Sequence, residues 1–321
     1  MSLVQGVVRR LVDSVGTVIV GKEQEVELCV LALLCGGHVL IEDVPGVGKT
    51  MLAKAMARAT GCDFERLQFT PDLLPGDVTG VSVFNPKTTE FEFRRGPVFA
   101  QVLLADEINR ATPKTQSALL EAMEERQVTV DGETHPLPTP FIVLATQNPI
   151  ELGGTFPLPE AQVDRFLVKV NLGYLATADE VAMLDRFQTE SPLDTLEPVT
   201  DSAEIEACRE ELRSVWCHRA LKDYCVRIVQ RTRTSTDVAL GASPRGSLGL
   251  LHASQARAAA KGREFVTPDD IKALARPVLG HRIVLRANAE LRGVTPEQVI
   301  DEVLAGESVP AERQAAAGEA T

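Results

Sequence analysis

Apolar residues recur in the first 35 positions at the three-to-four spacing of a helix, at Val8, Leu11, Val12 and Val15 and again at Val26, Cys29, Val30 and Leu33. Between the two stripes a short apolar run, TVIVG, ends at Gly21. The pattern then changes. HVLIED (38–43) is continuously apolar up to its acids, as a strand buried on both faces requires. TMLAKAMARATG (50–61) returns to helical spacing, with Gly61 placed as its C-terminal stop. QVLLADE (101–107) reads as a second buried strand, and Thr112-Pro113 cap and open the helix that follows it. RQVTVDGETHPLP alternates and turns at Asp131-Gly132, which predicts a hairpin. FIVLATQNP (141–149) and FLVKVNLGY (166–174) are the third and fourth buried strands. Strands alternating with helices predict an α/β fold, a parallel sheet flanked by helices with right-handed crossovers.

Beyond Tyr174 the pattern is amphipathic and helical. Capping-box sequences recur at TADE (177–180), TPDD (267–270) and TPEQ (295–298). The expected organisation is an α/β core over 1–176, a smaller all-α domain over 177–306 and a frayed tail over 307–321.

The chain has 321 residues, 44% hydrophobic and 24% charged, the balance of a globular protein. A net charge of −12 and a pI near 5.0 argue against broad binding to nucleic acid, whose phosphates would repel it. No apolar run reaches the ~18 residues of a membrane span, and MSLVQGVVRRLVDSVG lacks the order of a signal peptide. The expectation is a cytoplasmic protein without membrane insertion. The cysteines, Cys29, Cys35, Cys62, Cys208, Cys217 and Cys225, form no C-x-x-C pair and read as reduced, buried thiols. Trp216-Cys217-His218 with Cys225 lacks the second pair that a zinc site needs.

The chemistry is concentrated in IEDVPGVGKTMLAKAM (41–56). A phosphate-binding loop reads G-x-x-x-x-G-K-[ST]; Gly48, Lys49 and Thr50 complete it, and Asp43 stands where the first glycine would be. The loop follows a strand and opens a helix, so backbone N–H groups and the positive helix end face one point. Pro45-Gly46-Val47-Gly48 supplies the tight curve. Lys49 would add charge at the β- and γ-phosphates and Thr50 a hydroxyl on Mg²⁺. Asp tolerates unusual backbone angles better than most residues, so the fold is expected to survive Asp43. VLLADE places Asp106 and Glu107 at the C-terminal end of a buried strand, where parallel sheets bind ligands. Asp106 would hold Mg²⁺ and Glu107 would polarise the attacking water. Gln147 and Asn148 end the third strand, where an amide can orient water. Arg165 precedes a strand and Arg245 opens a helix; each alone reads equally as a surface or ion-pair arginine.

The order EDVPGVGKT, LLADEINRA, ATQNP, PEAQVDRF, GASPRG resembles the AAA+ ATPases, and within them the MoxR family, over roughly residues 10–290. The resemblance implies an AAA+ core followed by a helical lid. It assigns Lys49 and Thr50 to Walker A, Asp106 and Glu107 to Walker B, Asn148 to sensor 1, Arg165 to the arginine finger and Arg245 to the sensor 2 arginine on the lid of the same subunit. Nucleotide contacts fall on Pro45, Gly46, Val47, Gly48, Lys49, Thr50 and Met51, with Val20 and Gly21 at the adenine. Asp43 departs from the family's glycine. QFTPDLLPGDVTG through FEFRRGPVF resembles the family's insertion. Its members imply ATP/ADP and Mg²⁺ as cofactors and a ring, a hexamer, that acts as a chaperone-like remodeller of a client complex. Their usual partner carries a von Willebrand factor A domain, of which this sequence has no sign. A nucleotide-dependent scaffold with little hydrolysis, a DNA-linked AAA+ machine and a small-molecule kinase stay as alternatives; the acidic charge and GASPRG weigh against the last two.

Overall fold

The structure, a computed structural model, describes residues 2–148, 154–188 and 191–310. The two apolar stripes at the N-terminus form α1 (Leu3–Gly16), capped by the Ser2 hydroxyl on the Gln5 N–H, and α2 (Glu23–Leu34). β1 (Val39–Glu42) leads through the glycine loop into α3 (Lys49–Thr60), which ends at a left-handed Gly61 as expected. Then come β2 (Phe64–Gln68), the short α4 (Pro75–Thr79) and a hairpin of β3 (Gly80–Asn85) and β4 (Glu90–Arg95). β5 (Val102–Asp106) is followed by α5 (Pro113–Glu125), with Thr112 as cap and Pro113 in the first turn. A second hairpin, β6 (Gln127–Val130) and β7 (Glu133–Pro136), turns through Asp131 and Gly132, both at positive φ. β8 (Ile142–Gln147), α6 (Glu160–Val163) and β9 (Val168–Val170) complete the core.

The described residues form a parallel five-stranded sheet in the order β2-β5-β8-β1-β9. Its continuous apolar runs divide by the strand period of two. Val39, Ile41, Val102, Leu104, Ile142 and Leu144 pack with α1, α2 and α3 on one face. Leu40, Leu103, Ala105, Val143 and Ala145 pack with α5 on the other. The fifth strand, β2, was not anticipated. It lies at the sheet edge, and its residues, Glu65, Arg66 and Gln68 among them, are half-buried or exposed. The inserted hairpin packs on its neighbour through Phe93, which stacks on His135 with ring centres 4.2 Å apart.

The C-terminal region contains α7 (Thr177–Phe187), α8 (Ser202–Ser214), α9 (Arg219–Thr234), β10 (Val238–Leu240), α10 (Pro244–Ala260), α11 (Pro268–Leu279), β11 (Val284–Leu285), α12 (Ala287–Leu291) and α13 (Pro296–Gly306). The β10–β11 pairing is a small departure from an all-α region. Capping boxes form at Thr267/Asp270 and Thr295/Gln298. None forms at Thr177, which lies inside α7 behind Ala176, so its hydroxyl cannot take the cap position. Glu307, expected in the tail, is docked by Arg227 and Arg231; residues 311–321 lie outside the described residues. No helix among the described residues is long and apolar enough to cross a membrane. The cysteines are free and mostly buried, and burial pushes the Cys29, Cys35, Cys208 and Cys225 thiols up to about 12.

His38, just before β1, is buried and must be neutral: its Nδ1 accepts the Val143 N–H at 3.0 Å while Nε2 meets the Met123 carbonyl at 3.2 Å. Burial, then the nearby Arg126 charge, lowers its pKa to about 3. A histidine lowered in the fold stabilises above its unfolded value and loses that contribution as pH falls toward the folded one. As pH falls below 6.5 toward 3 the site is therefore expected to cost stability progressively. Urea unfolding at stepped pH should show a steeper acid loss in the wild type than in His38→Gln; equal slopes would contradict the account.

Candidate functional site

Parallel strands deliver their C-terminal ends to one edge of the sheet, and the phosphate loop, Asp106, Glu107 and Asn148 all lie there. Gly46 and Gly48 have φ of 86° and 95°, and a Cβ at either would meet nothing of the chain. Backbone conformation and open space toward a ligand are thus what the two glycines serve. Gly48 precedes Lys49, the first residue of α3, so the helix's unpaired N–H groups look into the same space. Val47 and Met51 anchor the loop by packing on the core. Lys49 Nζ donates to the Asp43 carbonyl at 2.8 Å. Burial lowers its pKa, against the raising effect of Asp43, Asp106 and Glu107.

Asp43 itself is buried and has no positive φ, so the position does not need a glycine. Both oxygens of its carboxylate are engaged: Oδ1 accepts the Val44 N–H at 2.8 Å and Oδ2 the Gly173 N–H at 2.6 Å.

The two acids are held by a network. Thr146 donates to Asp106 Oδ1 at 2.7 Å and accepts the Glu107 N–H at 2.8 Å. Arg66 grips Asp106 Oδ2 at 2.7 Å, and Gln68 donates to Glu107 Oε2 at 2.6 Å, with Arg110 on the same oxygen at 2.9 Å. Glu107 adopts a left-handed backbone, φ 57°, a conformation costly for a non-glycine residue and concentrated at functional sites. Arg66, Gln68, Arg110 and Thr146 escaped the sequence reading. Recognising the edge strand β2 would have exposed the first two, since β2 pairs with β5 and sets Gln68 opposite Asp106. Asn148 follows β8 and is buried at this edge.

Gly21 is drawn to the same side by the segment after β9. It has φ 69°, and a Cβ there would lie 2.5 Å from Asp179 Oδ2. Lys22 Nζ donates to the Tyr174 carbonyl at 3.2 Å. Val20 beside it is buried.

The two arginines are brought together, but elsewhere. Val168 pairs with Val39, so Arg165 lies beyond the start of β1, at the sheet edge opposite the phosphate loop. β1 alone separates the edges by about 13 Å. α5 runs back to that far edge and carries Glu124 in its last turn, whose carboxylate pairs with Arg165 Nε at 3.0 Å and with Arg245. Arg245, expected as the sensor 2 arginine on the lid of the same subunit, is thus held on Glu124 at the edge opposite its own phosphate loop. Arg282, buried, ties the place together by pairing with Asp164 and donating to the Phe166 carbonyl at 2.6 Å. A cavity of about 320 Å³ opens here, with Arg165, Arg245 and Arg282 set against Glu124 and Asp164.

The glycine cradle, the helix end, a lysine and paired acids fit a nucleoside triphosphate with a divalent cation. Thr50 and Asp106 offer the oxygen donors such a cation takes. No cluster of three or more His, Cys, Asp or Glu side chains suited to a metal exists among the described residues.

Comparison with known proteins agrees. Residues 38–168 match the model of the ATPase family associated with various cellular activities (AAA), and residues 230–303 match the AAA lid domain. The chain is 50% identical to the uncharacterized protein YeaC of Bacillus subtilis, over 95% of this chain and 96% of that one. It is 44% identical to the chaperone MoxR1 of Mycobacterium tuberculosis, over 94% and 82%. The crystal structure of an ATPase candidate from Cytophaga hutchinsonii superposes with a TM-score of 0.90 at 38% identity, covering 96% of each chain. With a glycine loop and an acid pair at one sheet edge, and identities of 50% and 44% over 95% and 94% of its length, this chain belongs to the MoxR family of AAA+ ATPases.

Proposed function

We propose that this protein is a ring-forming, Mg²⁺-dependent ATPase, a hexamer, in which each catalytic site is completed by Arg165 and Arg245 of a second copy, and that turnover drives chaperone-like remodelling of a client protein. The carrying observation is the position of those arginines, paired on one carboxylate at the edge opposite their own phosphate loop. Three guanidiniums against two carboxylates around the cavity suit a neighbour's anionic phosphates.

In this reading the loop from Pro45 to Met51 and Lys49 cradle the phosphates, and Val20 and Gly21 contact the base. Thr50 and Asp106 hold the cation. Bound Mg²⁺ neutralises phosphate charge and fixes its geometry. Glu107 accepts a proton from the attacking water, Asn148 orients that water, and the arriving arginines take up charge as the γ-phosphoryl group departs. The name of the MoxR1 relative supports a chaperone role. A client complex reached through a separate protein with a von Willebrand factor A domain, a cytoplasmic setting and no nucleic-acid partner complete the proposal. A nucleotide-dependent switch with slow basal hydrolysis is the second reading, favoured by the engagement of Asp106 by Arg66 and of Glu107 by Gln68 and Arg110.

Purified protein should hydrolyse ATP with a rate per chain that rises with protein concentration as rings form. Lys49→Ala should abolish nucleotide binding with no change in circular dichroism. A rate per chain that stays flat from dilute to concentrated protein, with no assembly on a sizing column, would sink the ring.

A further inference from the structure

Every polar group of Asp43 is engaged, by partners drawn from β8, from the phosphate loop and from the segment after β9. Its N–H donates to the Gln147 carbonyl at 3.2 Å, at the end of β8. Its carbonyl accepts from Lys49 Nζ at 2.8 Å. One carboxylate oxygen takes the Val44 N–H, inside the loop, at 2.8 Å, and the other takes the Gly173 N–H at 2.6 Å. Gly173 opens the strap that runs from β9 into α7. That strap also carries Tyr174, whose carbonyl holds Lys22, and Asp179, which sits against Gly21. Its far end is anchored by Arg186, which donates to the carbonyls of Gly16 and Thr17 at 2.7 and 2.9 Å. α7 buries none of its own residues, so polar ties of this kind hold it in place. The residue before Asp43 adds a parallel link: Glu42 pairs with Lys169 at 3.1 Å, and Lys169 also faces Glu297 of α13 at 3.7 Å.

We infer that Asp43 is a positioning residue that latches the phosphate loop to the strap leading into the helical region, so that filling the loop is transmitted to α7 and the position of α7 is transmitted back to Lys49. A glycine at this position would supply the loop but not the latch. Backbone geometry does not explain the departure from glycine, since no positive φ occurs there in either direction of need. Two charge-assisted hydrogen bonds on a buried carboxylate do. The coupling half of the inference rests on the loop being the nucleotide site; the latch itself does not.

Hydrogen exchange over residues 171–187 tests it, read with and without a non-hydrolysable ATP analogue, in the wild type and in Asp43→Gly, which restores the motif glycine. A fluorescent ATP analogue is titrated alongside. Asp43→Gly is expected to bind nucleotide within about threefold of the wild type, while its strap exchanges about tenfold to a hundredfold faster, the loss of one charge-assisted hydrogen bond. Nucleotide should slow exchange in the wild-type strap and leave the variant's unchanged. Wild-type exchange in the variant overturns the latch. Normal nucleotide-dependent slowing in the variant overturns the coupling, as does a variant that no longer binds the fluorescent nucleotide, since Asp43 then supports the cradle itself. Should Asp43→Gly unfold, Asp43→Ala takes its place: it removes both acceptor oxygens, so the same fast exchange is expected and wild-type exchange overturns the latch. If the wild type itself fails to bind the fluorescent nucleotide, the nucleotide reading falls, and exchange without nucleotide still decides the latch.

Discussion

Arg165→Ala is expected to lower ATP turnover by about 10³-fold or more while leaving nucleotide affinity within a few-fold of the wild type. The first half follows from charge: a guanidinium brought to a departing phosphoryl group acts where charge spreads in the transition state and adds little to ground-state binding. The second half follows from placement, because Arg165 stands at the sheet edge opposite its own loop and touches Glu124 instead. Stability should barely move, since a half-exposed ion pair contributes little. The variant therefore separates assembly chemistry from folding. Mixing Arg165→Ala with Glu107→Gln makes the argument sharper. One mutant keeps its acid, the other its arginine, so sites at mixed interfaces regain both and turnover should recover. Two dead variants that stay dead when mixed, although sizing shows mixed rings, would place the finger in its own subunit. Arg245→Ala should behave alike, and the double variant should lose far less than the product of the two, because both arginines share one carboxylate and one task.

What the sequence showed and what it hid divide along physical lines. Strands buried on both faces announce themselves as apolar runs, so β1, β5, β8 and β9 were legible, and so were the glycine loop and the acids at their ends. β2 was not, because it keeps Glu65, Arg66 and Gln68 half in water, whereas β9 at the other edge buries Val168 and Val170. Missing that strand hid Arg66 and Gln68, the residues that hold Asp106 and Glu107. The sense of Asp43 was hidden for another reason. Its partner Gly173 is 130 residues away, and no local pattern links a strand end to a strap that distant. Arg165 and Arg245 were found by motif, yet their company on Glu124 required the direction of α5. A motif identifies a side chain; only the sheet's polarity says which copy of the chain it serves.

Glu107→Gln should leave ATP binding intact, or tighten it, and lower hydrolysis by about 10² to 10⁴, the range of a positioned general base. The substitution keeps size and shape but removes the group that takes the water's proton. The backbone tie survives, since the Glu107 N–H still reaches Thr146 and the left-handed turn is unaltered. A glutamine in this place could still pair with Gln68, so the network around Asp106 need not collapse. That distinguishes the change from Asp106→Asn, which weakens a cation ligand and frees Arg66, and so should cost affinity for nucleotide with Mg²⁺ as well as rate. The two acids are adjacent in sequence yet should fail differently: Glu107 in kcat alone, Asp106 in both kcat and KM. Steady-state kinetics with a parallel fluorescent-nucleotide titration reads the split. If Glu107→Gln keeps wild-type turnover, the base lies elsewhere and the strained backbone at Glu107 has some other purpose; if it loses nucleotide binding, Glu107 supports the cradle and not the water.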